Sequence, residues 1–188
     1  MDKRELVRRH YADVLMDLCA TSRLNEITVS DIVAAAGTAR QTFYNYFSDL
    51  NDLICYAAFL PMALSSDPFT DEESTRKTYE ATLQHKAFFT QMPHHTGQNN
   101  FWNALEVWLK QTYYERYLLP NLPRATTEYR KVCIDLYCIG SAAVFKDWCA
   151  TGMETSIDAI VAMLYDMSPV FVKDDLTRMP SRVANYPR

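Results

Sequence analysis

The stretch Thr28–Phe47, TVSDIVAAAGTARQTFYNYF, decides how the rest of the chain is read. Its entry is a helix start: Thr28 can cap, Asp31 can return the capping-box bond, and Ile27 can staple against Ile32. Ile32, Val33 and Ala36 supply apolar contacts, and the run Ala34-Ala35-Ala36 lets a neighbouring helix approach closely. Gly37 ends the helix, because glycine takes the left-handed conformation without steric cost. The spacing predicts a further helix over roughly 39–47, with Phe43 and Phe47, four apart, facing inward. Arg40, Gln41, Thr42, Tyr44, Asn45 and Tyr46 then share the outer surface and its edges. A solvated helix face ordinarily holds Glu and Lys; this one holds side chains suited to base edges and phosphates. Two short helices about a glycine turn, the second opening on Arg-Gln-Thr, have the layout of a helix-turn-helix that enters the major groove.

The chemistry follows from the side chains. Arg40 can pair with guanine in a bidentate way or hold a phosphate, Gln41 can satisfy adenine, and Thr42 can touch a base methyl. Tyr44 and Tyr46 suit phosphates, and Asn45 suits either. A first helix over 3–22 places Arg4, Arg8 and Arg9 near its beginning, where they can hold phosphates flanking the groove; a solvated face accounts for them equally. A good base contact is worth roughly 1–3 kcal/mol of discrimination, so one helix with two or three cannot select an address. A symmetric pair doubles the contacts and implies a palindrome. The competing reading of 28–47 is a plain helical hairpin in an all-helical core.

Charge bears on the same point. The net charge of the 188 residues is -4, which counts against a non-specific polyanion binder. Residues 1–60 hold six basic side chains (Lys3, Arg4, Arg8, Arg9, Arg23, Arg40) against eight acidic ones. One copy should bind DNA weakly, and two acting together become attractive. Hydrophobic residues make up 48%, enough for a substantial core. Five cysteines without CxxC spacing argue against a disulfide scaffold, and Cys133, Cys138 and Cys149 read as buried thiols. With no apolar leader at the start and no apolar run of spanning length, the chain is expected to be cytoplasmic, with no membrane partner.

Beyond residue 48 the pattern remains helical. A fourth helix is expected over 49–60 and a fifth over 70–91, opened by Thr70 and the acidic run Asp71-Glu72-Glu73, with Leu83, Ala87 and Phe88 on its buried side. LSSDPFT (64–70) between them is the best candidate boundary. After a break at Met92-Pro93-His94-His95-Thr96-Gly97, an aromatic helix is expected over 98–118. Then follow a helix over 127–150, with Val132, Leu136, Ile139, Ala143 and Val144 as its apolar set, and one over 155–166, opened by Thr155 and Asp158. Residues 168–188, with three prolines, read as an irregular tail. The fold class is all-α, with about nine helices: a helix-turn-helix domain at 1–48, a helical effector-binding and dimerisation domain at 49–170, and a tail at 171–188.

The stretch ITVSDIVAAAGTARQTFYNYFSDLNDLI closely resembles the N-terminal module of the TetR/AcrR family of transcriptional regulators, over residues 6–60. The resemblance places Thr28, Arg40, Gln41, Thr42, Tyr44, Asn45 and Tyr46 on the DNA side. It implies a homodimer through the last two long helices and an effector cavity within the body. Two positions depart from the family pattern: Ala39 stands where a serine usually caps the recognition helix, with Thr38 as a cap one residue early, and Leu50 stands where a lysine usually holds a phosphate. FFTQMPHHTGQNNFWNAL and the Gly140–Trp148 helix resemble a subgroup that includes regulators of dihydroxyacetone utilisation, some of which act as activators with a partner protein. A protein co-regulator is therefore one implied partner.

The body's own residues offer further candidates. Phe88, Phe89, Phe101, Trp102, Trp108, Tyr113 and Tyr137 can line a cavity for an apolar or aromatic effector, or can simply fill the core. Leu136, Gly140, Ala143, Val144, Ile157, Ile160, Val161 and Leu164 are the candidate dimer contacts. His85, His94 and His95 lack carboxylates or thiols at ligand spacing, so no metal is expected. Neither a cofactor nor a catalytic residue is expected, because nucleotide loops and nucleophile motifs are missing. The leading expectation is a ligand-responsive homodimeric repressor on a palindromic operator. The alternative is a protein-interaction or coactivator module whose helix-turn-helix is weakened at Ala39 and Leu50.

Overall fold

The computed structural model describes residues 2–64, 71–95 and 100–175. Among the described residues all regular structure is helical. The N-terminal module is α1 (Lys3–Leu18), α2 (Val29–Ala35) and α3 (Arg40–Tyr44), and α4 (Leu50–Phe59) joins it to the body. The body comprises α5 (Glu72–Gln84), α6 (Lys86–Phe89), α7 (Phe101–Tyr117), α8 (Arg124–Ala150), α9 (Ile157–Met167) and α10 (Val170–Asp175).

Tyr11 is the keystone of the module. It is fully buried, meets Phe43 and Phe47 edge-on at ring separations of 5.6 and 6.1 Å, and shares a 2.8 Å hydrogen bond with the Thr38 hydroxyl. Such edge-to-face contacts add roughly 0.5–1.5 kcal/mol each beyond burial. Thr38 is thereby committed to Tyr11 and does not cap α3; Ala39 is the cap residue and provides no side-chain bond. Gly37 takes φ 65°, as the turn requires. On the other side of α1, the Arg8 guanidinium lies 4.2 Å from the Tyr56 ring centre and 5.0 Å from that of Phe47, while the Tyr56 hydroxyl donates to Glu5 at 2.8 Å. These contacts lock α1 to α4.

In the body, rings pack on rings. Phe59 meets Phe101 at 5.2 Å and Trp108 at 5.8 Å, Tyr79 meets Trp148 at 5.0 Å, and Trp102 meets Phe145 at 6.0 Å. The indole N–H of Trp102 donates to the Met92 carbonyl at 3.1 Å and that of Trp148 to Thr155 at 2.9 Å, so both buried indoles are satisfied. The module core and the body core run together through α4.

Several elements differ from the pattern-based expectation. α1 ends at Leu18, and α3 stops at Tyr44, leaving 45–47 as a turn closed by Phe47 N–H to Phe43 carbonyl at 3.0 Å. The expected helix over 70–91 is two helices, broken at His85, whose φ of −110° and ψ of 36° are not helical. Asp71 caps α5 in a reciprocal box with Ser74; Thr70 and the rest of the 65–70 boundary lie outside the described residues, as do 96–99 and 176–188. The buried side of α5 is Ser74, Thr75, Thr78, Tyr79, Ala81 and Thr82, while Leu83 and Ala87 face outward. Threonine serves there because its hydroxyl bonds back along the helix, Thr78 to Ser74 carbonyl at 3.0 Å and Thr82 to Thr78 carbonyl at 2.8 Å. α9 is capped by Ser156, not Thr155, and Asp158 pairs with Arg76 instead of closing a box. The tail begins with α10 where irregular chain is expected.

Candidate nucleic-acid interface

Thr28 caps α2 in a full capping box: the Asp31 N–H donates to its hydroxyl at 3.3 Å, and its own N–H and hydroxyl donate to the Asp31 carboxylate at 2.8 and 2.7 Å. Those bonds hold the Asp31 carboxyl below the usual carboxylate range, so this acid is engaged locally. α3 rests on α1 and α2 through Phe43, and its other residues are presented outward. Arg40, Gln41, Tyr44 and Asn45 are exposed, Thr42 and Tyr46 are half-buried. One short helix and its closing residue thus offer a guanidinium, two amides and a phenol to solvent on an aromatic base.

Arg40 is not loose. Its Nη1 donates to the Ser30 hydroxyl on α2 at 3.2 Å, its Nη2 donates to the Tyr44 hydroxyl at 3.4 Å, and its guanidinium lies 5.9 Å from the Tyr44 ring centre. Ser30 carried no signal in the sequence, because its partner is ten positions away and across the turn. Arg4 reaches the same region from α1: its Nη2 donates to the Asn45 carbonyl at 3.5 Å, and it sits 5.7 Å from the Tyr46 ring centre. Arg4 is therefore gathered with α3. Arg8 is held between Phe47 and Tyr56, and Arg9 pairs with Glu5 at 3.3 Å. Leu50 packs half-buried against the core, and the start of α4 is acidic, with Asp49 capping and Asp52 accepting from the Ser48 N–H at 2.9 Å.

The aromatic set of the body lies differently from a cavity lining. Phe88, Phe89, Phe101, Trp102, Trp108 and Tyr113 are buried against one another or against further rings. Tyr137 lines a cleft of about 650 Å³ between α8 and the α9–α10 turn, together with Tyr129, Leu136, Val144, Met167 and Phe171. Its hydroxyl donates to the Leu164 carbonyl at 3.1 Å.

The candidate dimer residues divide. Leu136 and Ala143 are exposed, Gly140, Val144 and Ile157 half-buried, but Ile160, Val161 and Leu164 are buried inside their own chain. α9 turns those three inward, and the methionines Met163 and Met167 take the outer face. Val132 and Ile139, in the apolar set of this helix with Leu136, are exposed as well; the buried side of α8 is Ile134, Cys138, Ser141, Phe145, Trp148 and Cys149. The result is an outward set of apolar side chains, with Tyr129, Val132, Leu136 and Met167 all at least 56% exposed.

Among the described residues no group of His, Cys, Asp or Glu is arranged to hold a metal, and no helix is long and apolar enough to cross a membrane.

The chain matches the dhaKLM operon transcriptional activator DhaS of Lactococcus lactis subsp. lactis (strain IL1403), described as HTH-type, at 36% identity over 56 residues. That match covers 30% of each chain, so the chain spans under a third of this curated relative in the alignment. Its fold is similar to a solved structure of a dihydroxyacetone kinase operon activator DhaS, with a TM-score of 0.60 at 15% identity, covering 93% of this chain and 98% of the other. Residues 70–169, more than half of the 188, match the TetR-type family described as "Transcriptional regulator C-terminal region". The chain belongs to the TetR family of transcriptional regulators.

Proposed function

We propose that this regulator reads a palindromic DNA operator as a homodimer, through the exposed residues of α3 with Thr28 and Arg4 beside them. The observation that carries the reading is the outer face of α3 and its cap: Arg40, Gln41 and Tyr44 on the helix and Asn45 just after it are solvent-facing, and the helix is fixed from behind by Tyr11 and Phe43. A side chain that discriminates bases must be exposed on a fixed backbone, and in addition Arg40 and Tyr44 hold each other in place. The missing cap at Ala39 and the apolar Leu50 lower single-copy affinity, which favours paired binding. The exposed apolar surface of α8 and α9 supplies the pairing face.

Selection of random duplex DNA with the purified chain tests this. It should enrich a two-fold symmetric site. Gln41→Ala and Tyr44→Phe should each lose about tenfold or more of specific affinity, with the dimer intact. Equal binding by both variants, or no enriched sequence, overturns the assignment.

Occupancy of a promoter makes repression the simplest outcome, relieved when an effector favours a different spacing of the two readers. Similarity to a protein named as an operon activator favours a second reading, activation. A reporter behind the selected site, with and without the chain, separates the two by sign.

A further inference from the structure

The module and body meet in a polar joint. The Gln91 side-chain oxygen accepts from the Leu24 N–H at 2.7 Å, and its amide nitrogen donates to the Cys19 carbonyl at 3.1 Å and the Ala87 carbonyl at 2.9 Å. Nearby, a His95 ring nitrogen lies 3.0 Å from the Asn51 side-chain oxygen. Beside these bonds opens a cleft of about 410 Å³, walled on the module side by Arg23 and Asn25 and on the body side by Thr90, His94 and His95. None of its lining residues is acidic, in a chain of net charge -4. Among the described residues the Arg23 guanidinium makes no ion pair, and neither it nor the His94 ring makes a hydrogen bond. His95 is engaged with Asn51, and the Thr90 hydroxyl donates to the Lys86 carbonyl at 2.8 Å. Uncommitted donors therefore come from both sides of the joint.

We propose that this cleft is an effector site for a small phosphate-bearing molecule, held between Arg23 of the reader module and His94 of the body. A planar guanidinium is well matched to a phosphate, and the volume suits a small metabolite. The cleft stands away from Arg4 and the opening end of α1. Arg4, at the opening end of α1, sits beside α3, whereas Cys19, at the closing end, sits at the joint. The 16 residues of α1 separate the two by about 24 Å. A ligand touching both Arg23 and His94 binds best at one separation of the two bodies, so it biases the angle at which the reader meets DNA. That regulatory consequence rests on the DNA-binding reading; the binding itself does not.

The test is a titration of the full chain, labelled for NMR at the histidine rings and arginine side chains, with sodium phosphate against sodium chloride at equal ionic strength. Phosphate should shift His94 and Arg23 saturably, while chloride should not. Arg23→Ala and His94→Ala should each weaken binding about tenfold or more, and Arg124→Ala, at the start of α8, should leave it unchanged. Operator affinity should change with phosphate in the wild type and not in Arg23→Ala. Non-saturating shifts, or unimpaired binding by Arg23→Ala, overturn the site. Saturable binding with no change in operator affinity overturns its effector role. A chain that enriches no DNA sequence yet titrates with phosphate overturns the operator reading and keeps the anion site.

Discussion

Truncating Leu136 to alanine should weaken self-association of the chain by a calculable amount. Leu136 stands on the outward face of α8 and is 68% exposed. Full burial of a leucine side chain is worth about 1.5–3 kcal/mol, so covering the exposed two-thirds is worth roughly 1–2 kcal/mol per copy. A two-fold interface uses the same residue twice, which brings the loss to roughly 2–4 kcal/mol. That is a dimer about 30- to 1000-fold weaker. Sedimentation equilibrium over a range of concentrations reads the change, and thermal melts followed by circular dichroism check that the monomer still folds. Val107→Ala is the control, because Val107 on α7 is 65% exposed and does not line the cleft that holds Leu136. Equal association by wild type and Leu136→Ala, or an equal loss in Val107→Ala, refutes the assignment of this face to the dimer.

Other outcomes follow from named contacts. Gln91→Ala removes the bonds that tie residues 19–24 to the body; hydrogen exchange at the Leu24 amide should accelerate, and stability should fall by about 1–3 kcal/mol, read by urea unfolding. Burial holds the His95 pKa below its usual 6.5, so the folded state binds its proton less readily than the unfolded chain. Its contribution to stability is present above the unfolded value near 6.5 and is lost as pH falls through the lower folded value; His95→Gln should remove that part of the acid sensitivity in melts from pH 7.5 to pH 5. Burial pushes the Cys19, Cys138 and Cys149 thiols up to about 12 and Cys55 to about 11, so iodoacetamide at pH 7 should leave all four intact in the folded chain. Cys133 lines the cleft beside Leu136, and its alkylation should slow as protein concentration rises and dimers form.

Local signals accounted for the reader and failed in parts of the body, for identifiable reasons. The capping box at Thr28–Asp31, the glycine turn at Gly37 and the inward pair Phe43 and Phe47 act within a few residues, so they are visible in sequence. α5 was harder, because its buried side is largely threonine and serine whose hydroxyls are satisfied by their own helix. A reading by apolar spacing selects Leu83 instead. On α8 apolar spacing picks out Val132, Leu136 and Ile139, which face outward, and passes over the buried Ile134 and Phe145. Periodicity reports that a face avoids water, not whether the same chain covers it.

The sequence by itself determined the all-helical class, the helix-turn-helix and the residues that form its outward face, because caps, turns and i,i+4 pairs are local. Only the tertiary structure decided that Ser30 and Tyr44 hold Arg40, that Thr38 serves Tyr11 and not the recognition helix, and that the aromatic side chains of the body are mostly packed core. It also decided that Gln91 joins reader to body, with His95 held to α4, beside an acid-free cleft. Those outcomes depend on which distant segments meet, and burial and hydrogen-bond partners exist only after the chain has folded.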